Sequence, residues 1–133
     1  MVKSLAIISA GAVLGAIIRW GAGIVCHGLH PVIPMGTLLV NIAGGYCMGL
    51  FLGIGTLLPN LAPEWRLLIV TGFLGSLTTF SSFSGEVGIL LQQNRFFWAM
   101  GLITMHVVGS LFALFLGVGT VKIVAHYGQM LMK

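Results

Sequence analysis

Residues 71–86 read TGFLGSLTTFSSFSGE, and they place a row of hydroxyl groups in a chain whose composition is that of a membrane protein. Of the 133 residues, 58% are hydrophobic and 6% are charged, and the mean hydropathy is +1.10. A soluble domain carries about a quarter of its residues as charged side chains. The composition therefore excludes a soluble protein and predicts one that is embedded in a lipid bilayer.

The positive charges of the chain are few and dispersed. The formal net charge of +4 arises from six basic residues, which are Lys3, Arg19, Arg66, Arg95, Lys122 and Lys133. A nucleic-acid-binding protein concentrates its basic residues on one face or in one tail, so we expect no nucleic-acid partner. Dispersed Lys and Arg near the ends of apolar segments are typical of membrane anchors.

Charges and prolines divide the chain into four apolar segments, each close to the ~20 residues that cross a bilayer. The predicted spans are about residues 5–26, 35–58, 67–91 and 96–121. The connections between them are short and leave no room for a soluble domain. We therefore expect a single domain, residues 1–133, with an all-α fold of four transmembrane helices.

Several glycines recur at the four-residue spacing that allows helices to pack closely in lipid, because small residues let two backbones approach each other. They are Gly11 and Gly15 in the first span, and Gly45, Gly49 and Gly53 in the second. This spacing predicts tight helix packing and does not indicate a function.

The distribution of charge favours one orientation in the membrane only weakly. With a cytoplasmic N-terminus, the Lys and Arg residues outside the spans divide four to one between the cytoplasmic and the external side. A bias that rests on so few charges leaves insertion in both orientations open.

Polar side chains at membrane depth are the strongest indicators of function in a membrane protein. Asn41 lies well inside the second span, where it either joins two helices by hydrogen bonds or offers an amide donor to a polar path. His106 and Ser110 are four residues apart and therefore share one face of the fourth helix.

The third span is expected to contain a break. Gly72 and Gly75 lower helix propensity there, so we predict that the third helix is broken near Gly72–Thr79. Broken backbone is tolerated in a membrane only where protein or a wet cavity meets it. The freed carbonyl groups are suitable ligands for a hard cation such as sodium.

Two aromatic residues follow the predicted break. Phe80 and Phe83 are three residues apart and share a face of the helix that resumes there. They either pack in the core or present their positive ring edges, beside hydroxyl donors, to a small anion that has shed its water. Glu86 lies near one end of the span, so no series of titratable groups crosses the membrane. This favours passive passage over proton-driven transport.

Four motifs carry a resemblance to a known family. They are GAVLGAIIRW at residues 11–20, GTLLVNIAGGY at 36–46, TGFLGSLTTFSSFS at 71–84, and the pair Gly109 and Ser110. In these motifs, and over nearly its whole length, the chain resembles the Fluc (CrcB) family of bacterial fluoride channels. The resemblance implies a fluoride-specific, multi-pass channel of the bacterial inner membrane that is not an enzyme. Through it fluoride leaves the cell passively, which lowers fluoride toxicity.

The resemblance also implies an assembly and a set of site residues. The expected assembly is an antiparallel, dual-topology homodimer with two pores. Asn41, Phe80, Phe83 and Ser110 match pore residues of the family, and His106 lies where some members have a serine near the pore. The backbone carbonyls of Gly75 and Thr78 match those that hold a structural sodium ion at the dimer interface. Leu114 lies where some members of the family have a hydroxyl residue. If that hydroxyl matters for the ion path, Ser81, Ser82 or Ser84 has to supply the donor here. Ser81 is included among the expected pore residues.

Two other functions are compatible with a short four-span chain. A small proton-coupled exporter of cationic compounds depends on an acidic residue deep in its first span, and this chain has Arg19 in its first span instead. A non-transporting subunit of a larger membrane complex would explain the glycines, but it would not explain the hydroxyl and amide donors.

Overall fold

The computed structural model describes residues 1–131, and its architecture is all-helical. Four helices are long and apolar enough to cross a membrane, and they are called spans one to four: Val2–Val25, Met35–Leu57, Pro63–Gln92 and Phe96–Leu131. The predicted all-α class and the four spans are confirmed.

Span four is longer than a bilayer requires. Its 36 residues extend over about 54 Å at ~1.5 Å per residue, against a hydrocarbon core about 30 Å thick. The helix continues to Leu131, beyond residue 121 where we placed the end of the span. It does so because the hydrogen bonds of a helix do not have to stop at the membrane surface, and residues 122–131 contain no proline.

Span three is interrupted close to its centre. A short α-helix (Pro63–Arg66) leads into a π-helical segment (Leu67–Leu74) and one further turn (Gly75–Leu77), and a second helix runs over Phe80–Gln92. Between these halves, Thr78 (φ −82°, ψ 156°) and Thr79 (φ −149°, ψ 115°) are extended. The bend confirms the break that was expected near Gly72–Thr79 and locates it at two threonines.

The four spans pack in pairs around this interruption. Span two runs along span four, and span one runs along the first half of span three, whereas the second half of span three lies against span four. One buried cluster, of Val40, Leu74 and Leu77, includes residues of the first half of span three, before the break. A second cluster, containing Phe83 and Leu102, lies on the second-half side. The break therefore lies between two packed regions.

The glycine spacing has the predicted effect on packing. A Cβ added at Gly11 or Gly15 of span one would overlap the backbone of span three, and one added at Gly45 or Gly49 would overlap the backbone of span four. At Gly53 the added atom would meet the side chain of Val121. These contacts confirm that the small residues allow close approach of helix backbones.

Candidate functional site

An open groove of about 390 Å³ lies beside the helix break, bordered by spans two, three and four. Five of the six predicted pore residues line it, as do both predicted sodium ligands: Asn41, Phe80, Phe83, His106 and Ser110, with Gly75 and Thr78. The fold thus brings together residues that are up to 69 positions apart in the sequence (41 to 110). Ser81, the sixth predicted pore residue, does not line the groove and is exposed.

Asn41 joins span two to the broken backbone of span three. Its Oδ1 accepts the Thr79 N–H at 2.8 Å, and its Nδ2 donates to the Thr79 carbonyl at 3.1 Å. One side chain therefore satisfies both backbone groups of an extended residue that has left the helical hydrogen-bond pattern. The sequence predicted a hydrogen-bonding role or a pore role for Asn41, and its pairing with Thr79 was not foreseen.

His106 is buried behind Asn41, with 4% of its surface exposed. Its Nδ1 lies 3.0 Å from Asn41 Nδ2, whereas its Nε2 is buried and has no hydrogen-bond partner among residues 1–131. The imidazole ring stacks on Phe83 with a centroid separation of 4.5 Å and an interplanar angle of 29°. Unpaired buried polar atoms are uncommon, so this nitrogen is a candidate for a contact that residues 1–131 do not supply.

Phe80 and Phe83 differ in their environments although they share a helix face. Phe83 is 8% exposed and belongs to the core, whereas Phe80 is 79% exposed at the mouth of the groove. The rings contact each other at a centroid distance of 5.6 Å and an angle of 60°. Core packing therefore accounts for the position of Phe83 and does not account for that of Phe80.

Five of the seven hydroxyl groups in residues 71–86 form hydrogen bonds, and they fall into two sets. Ser76 and Thr78 donate to backbone carbonyls, of Ala12 and Leu74 respectively. Around Thr79 Oγ1 the hydroxyls form a cluster instead: it contacts Ser81 Oγ at 3.3 Å and Ser82 Oγ at 3.0 Å. Thr79 Oγ1 also accepts the backbone N–H of Ser82 and so caps the second half of span three. The second set therefore bonds to other hydroxyls as well as to the backbone.

The side of the groove formed by span four is polar at one end and apolar at the other. Ser110 is half-buried there, and its hydroxyl makes no hydrogen bond within residues 1–131. Leu114, one turn further along, also lines the groove and offers no donor. Any hydroxyl donor beside Leu114 therefore has to come from span three.

A further polar contact was not found by the sequence interpretation. Thr37, near the start of span two, donates a hydrogen bond of 2.6 Å to Glu86 Oε1 in the second half of span three. Glu86 Oε2 is buried and has no partner in the described part of the chain. A hydroxyl residue early in span two was the only signal in the sequence, and it did not identify its partner.

The predicted sodium ligands lie where helical hydrogen bonding is interrupted. The Thr79 N–H, which would donate to the carbonyl of Gly75 in a continued helix, donates to Asn41 instead. Residues 1–131 contain no group of three or more His, Cys, Asp or Glu side chains that could hold a metal ion. Carbonyl oxygens such as those of Gly75 and Thr78 are a donor set suited to a hard monovalent cation.

Comparison with known proteins identifies a family. The family model described as CrcB-like protein, Camphor Resistance (CrcB), matches residues 6–118. A protein of Pseudomonas putida (strain W619) named fluoride-specific ion channel FluC is 51% identical over 120 residues, which cover 90% of this chain and 94% of the relative.

Relatives from other bacteria carry the same name. The protein of Tolumonas auensis is 52% identical over 123 residues, covering 92% of this chain and 97% of its own length. The protein of Desulfovibrio desulfuricans is 49% identical over 120 residues, covering 90% and 93%. These similarities extend over all four spans and the groove.

Proposed function

We infer the function of this chain from the premise that it belongs to the CrcB-like family, a family of channels and not of enzymes. We propose that it is a fluoride-specific ion channel, through which fluoride leaves the cell passively and fluoride toxicity is lowered. Its relatives, named for this activity, match it at about half of all aligned positions. The chain is a multi-pass membrane protein, and its proposed location is the bacterial inner membrane.

The groove at the helix break is the observation that carries the proposal. Fluoride is small and strongly hydrated, so a pore has to replace its water with closely placed donors. The groove offers donors from two spans, beside the exposed ring of Phe80. The proposed fluoride contacts are Phe80, Phe83, Ser81, His106 and Ser110, and Asn41, whose two N–H groups bond to Thr79 and His106, is proposed to hold the site in place.

Each aromatic ring supplies one side of the coordination that hydroxyl and amide groups leave open. The edge of a phenyl ring is positive, and it attracts an anion where the face would repel it. Phe80 is available for this role, because 79% of its surface is exposed at the groove. Phe83 stabilises the ring arrangement from within the core.

The proposed assembly is an antiparallel, dual-topology homodimer. In a single chain the groove is open to the outside, and residues such as Phe80 and Gly75 on its rim are exposed. A second copy in the opposite orientation would cover this open side with protein. Lipid would not serve there, because hydrocarbon offers no partners to the polar groups of the groove. The remaining apolar surface contacts the bilayer.

A structural sodium ion, which is not transported, is proposed at the dimer centre. The carbonyls of Gly75 and Thr78 would hold it, because both residues lie at the interruption of helical hydrogen bonding and line the rim of the groove. When bound, the ion would supply a positive charge that attracts the carbonyl oxygens at the helix breaks of both chains.

The rival function of a proton-coupled exporter of cationic compounds lacks an appropriate site. The residues that line the groove include neither Asp nor Glu. Glu86 lies elsewhere on span three and is hydrogen-bonded to Thr37. A groove with amide, hydroxyl and imidazole groups, and without a carboxylate, suits an anion better than a cation.

The function is tested by efflux from liposomes that contain only this protein. Fluoride should leave the vesicles without an imposed proton gradient, while protein-free vesicles retain it. Chloride release is followed in the same preparation. Fluoride release that requires a proton gradient would favour the exporter, and the absence of fluoride release at any protein density would favour a non-transporting subunit.

A further inference from the structure

The backbone of Thr79 determines the orientation of the Asn41 amide. Thr79 offers one donor and one acceptor, and Asn41 meets them with Oδ1 at 2.8 Å and Nδ2 at 3.1 Å. A flipped amide would place its NH₂ against the Thr79 N–H and its oxygen against the carbonyl. Both contacts would be lost, so the amide has a single orientation.

The amide in turn determines which nitrogen of His106 carries the proton. Asn41 Nδ2 has a second N–H, and His106 Nδ1 lies 3.0 Å from that nitrogen. Because an amide nitrogen only donates, His106 Nδ1 is the acceptor, and the neutral ring is protonated at Nε2. This Nε2–H is buried and unpaired within the described residues. An unpaired buried donor costs about 1–3 kcal/mol, and a ligand that accepts its hydrogen bond offsets this cost.

Few other titratable side chains lie on the helices that pack against span four. Span two carries Tyr46, whose hydroxyl donates to Thr120, and the half-buried Cys47. The second half of span three carries Glu86, which accepts a hydrogen bond from Thr37 at the start of span two. Within residues 96–121 of span four, His106 is the only titratable side chain.

We propose that His106 donates its Nε2–H to the permeating anion, held in that tautomer by the Thr79–Asn41 pair, and that proton uptake at Nδ1 disables the pore. This inference rests on the proposed channel function and adds a regulation of the same site. Asn41 is a positioning residue, because it acts through the imidazole.

Protonation of His106 would break its hydrogen bond with Asn41 for a geometric reason. An imidazolium has an N–H on both nitrogens, so a proton from solvent at Nδ1 would face the Asn41 N–H, donor against donor. Either the ring turns away from the groove, or the amide turns and releases Thr79. Both movements take the Nε2–H out of position. Fluoride flux should fall as the pH is lowered.

The first test is the pH profile of fluoride efflux from liposomes, corrected for the leak of protein-free vesicles. The parent should lose flux on acidification with the slope of one proton, at most about tenfold per pH unit. H106Q keeps one acceptor and one donor in similar positions without titrating, so it should conduct with a flat profile. H106F retains the stacking on Phe83 without a donor, so its flux should be at least about tenfold below that of the parent at neutral pH, the loss expected for one donor to an ion, and should not change with pH. His126 is exposed and does not line the groove, so H126Q is the control and should keep the parent profile.

The second test is spectroscopic and needs no flux. The chain has four histidines, so the triple variant H27Q/H30Q/H126Q leaves His106 as the only one. Its ¹⁵N-labelled imidazole should show one tautomer at neutral pH, protonated at Nε2, and fluoride should shift that N–H signal whereas chloride at equal concentration should not.

The outcomes separate this inference from the channel function itself. A parent that conducts fluoride with the same pH profile as H106Q would overturn the inference and leave the channel intact. A ring protonated at Nδ1, or an Nε2–H signal that does not respond to fluoride, would also overturn it, even if H106Q failed to fold. A parent that shows no fluoride flux at any pH would instead contradict the proposed function.

Discussion

Asn41 and Thr79 form a two-point contact in which one amide binds the N–H and the carbonyl of a single extended residue, at 2.8 Å and 3.1 Å. This contact makes the break in span three compatible with burial, because Thr79 itself is only 7% exposed. Without Asn41 the two backbone groups of Thr79 would be buried and unpaired.

Asn41→Ala should therefore destabilise the protein. Each unpaired buried group costs about 1–3 kcal/mol, so the loss for the two groups of Thr79 should be about 2–6 kcal/mol in the free energy of unfolding. Denaturation in detergent measures it. Thr104→Val is the control, since Thr104 is exposed and bonds only the carbonyl of Met100 in its own helix. Equal stability of the two variants would show that the Asn41 contact contributes little.

Phe80→Leu should stop fluoride flux while the protein stays assembled. The substitution keeps much of the apolar volume, and conservative apolar swaps usually cost less than ~1.5 kcal/mol even in a core. Fluoride flux from liposomes is measured, and the elution volume on size exclusion shows whether the protein is still assembled. Phe97→Leu is the matched control, because Phe97 is 85% exposed and does not line the groove. A well-assembled Phe80→Leu protein that conducts like the parent would remove Phe80 from the pore.

Gly49→Ala should disrupt the packing of span two on span four. The added Cβ would overlap the Leu114 carbonyl, a backbone atom that cannot move without shifting the helix. Overpacking typically costs about 1–3 kcal/mol, and the rigid contact places this variant at the upper end. Gly55→Ala in the same helix meets no atom within 4 Å and should be stable. Thermal unfolding in detergent compares them, and equal midpoints would contradict the close packing.

Removal of sodium should abolish or strongly reduce fluoride flux. If the carbonyls of Gly75 and Thr78 hold a structural ion, a large organic cation should not replace it, because backbone carbonyl oxygens suit a small, hard cation such as sodium. Liposome flux is measured with sodium replaced by N-methylglucamine during purification and assay, and then with sodium restored. Flux that stays unchanged after exhaustive sodium removal would argue against the ion.

The dual topology should be visible in cells. Since the charge bias is weak, chains should insert in both orientations, and reporters fused to the C-terminus should be active on both sides of the membrane. Arg95 lies between spans three and four, on the external side when the N-terminus is cytoplasmic. Arg95→Gln removes that external positive charge, so it should shift the population towards a cytoplasmic N-terminus. A parent population that signals from one side only would contradict the antiparallel dimer.

The sequence predicted the class of fold correctly, because the class depends on local composition, and it singled out several of the residues that line the groove. Long apolar segments bounded by charges and prolines define spans, and the Gly72–Thr79 segment is a poor helix former wherever it is placed. Asn41, Phe80, Phe83, His106 and Ser110 were identified as uncommon residues at membrane depth, or by resemblance, and they do line one groove.

Which polar groups bind each other was determined only by the tertiary structure. Thr79 was one of seven hydroxyl residues within residues 71–86, and it proved to be the residue that Asn41 binds. Thr37 and Glu86 are 49 positions apart, and no local pattern indicates their pairing. The tautomer of His106 likewise follows from contacts with two other spans. Composition and periodicity determine which segments enter the membrane, because transfer into lipid depends on each segment by itself. Hydrogen bonds between spans depend on distances and directions that exist only after the helices have packed.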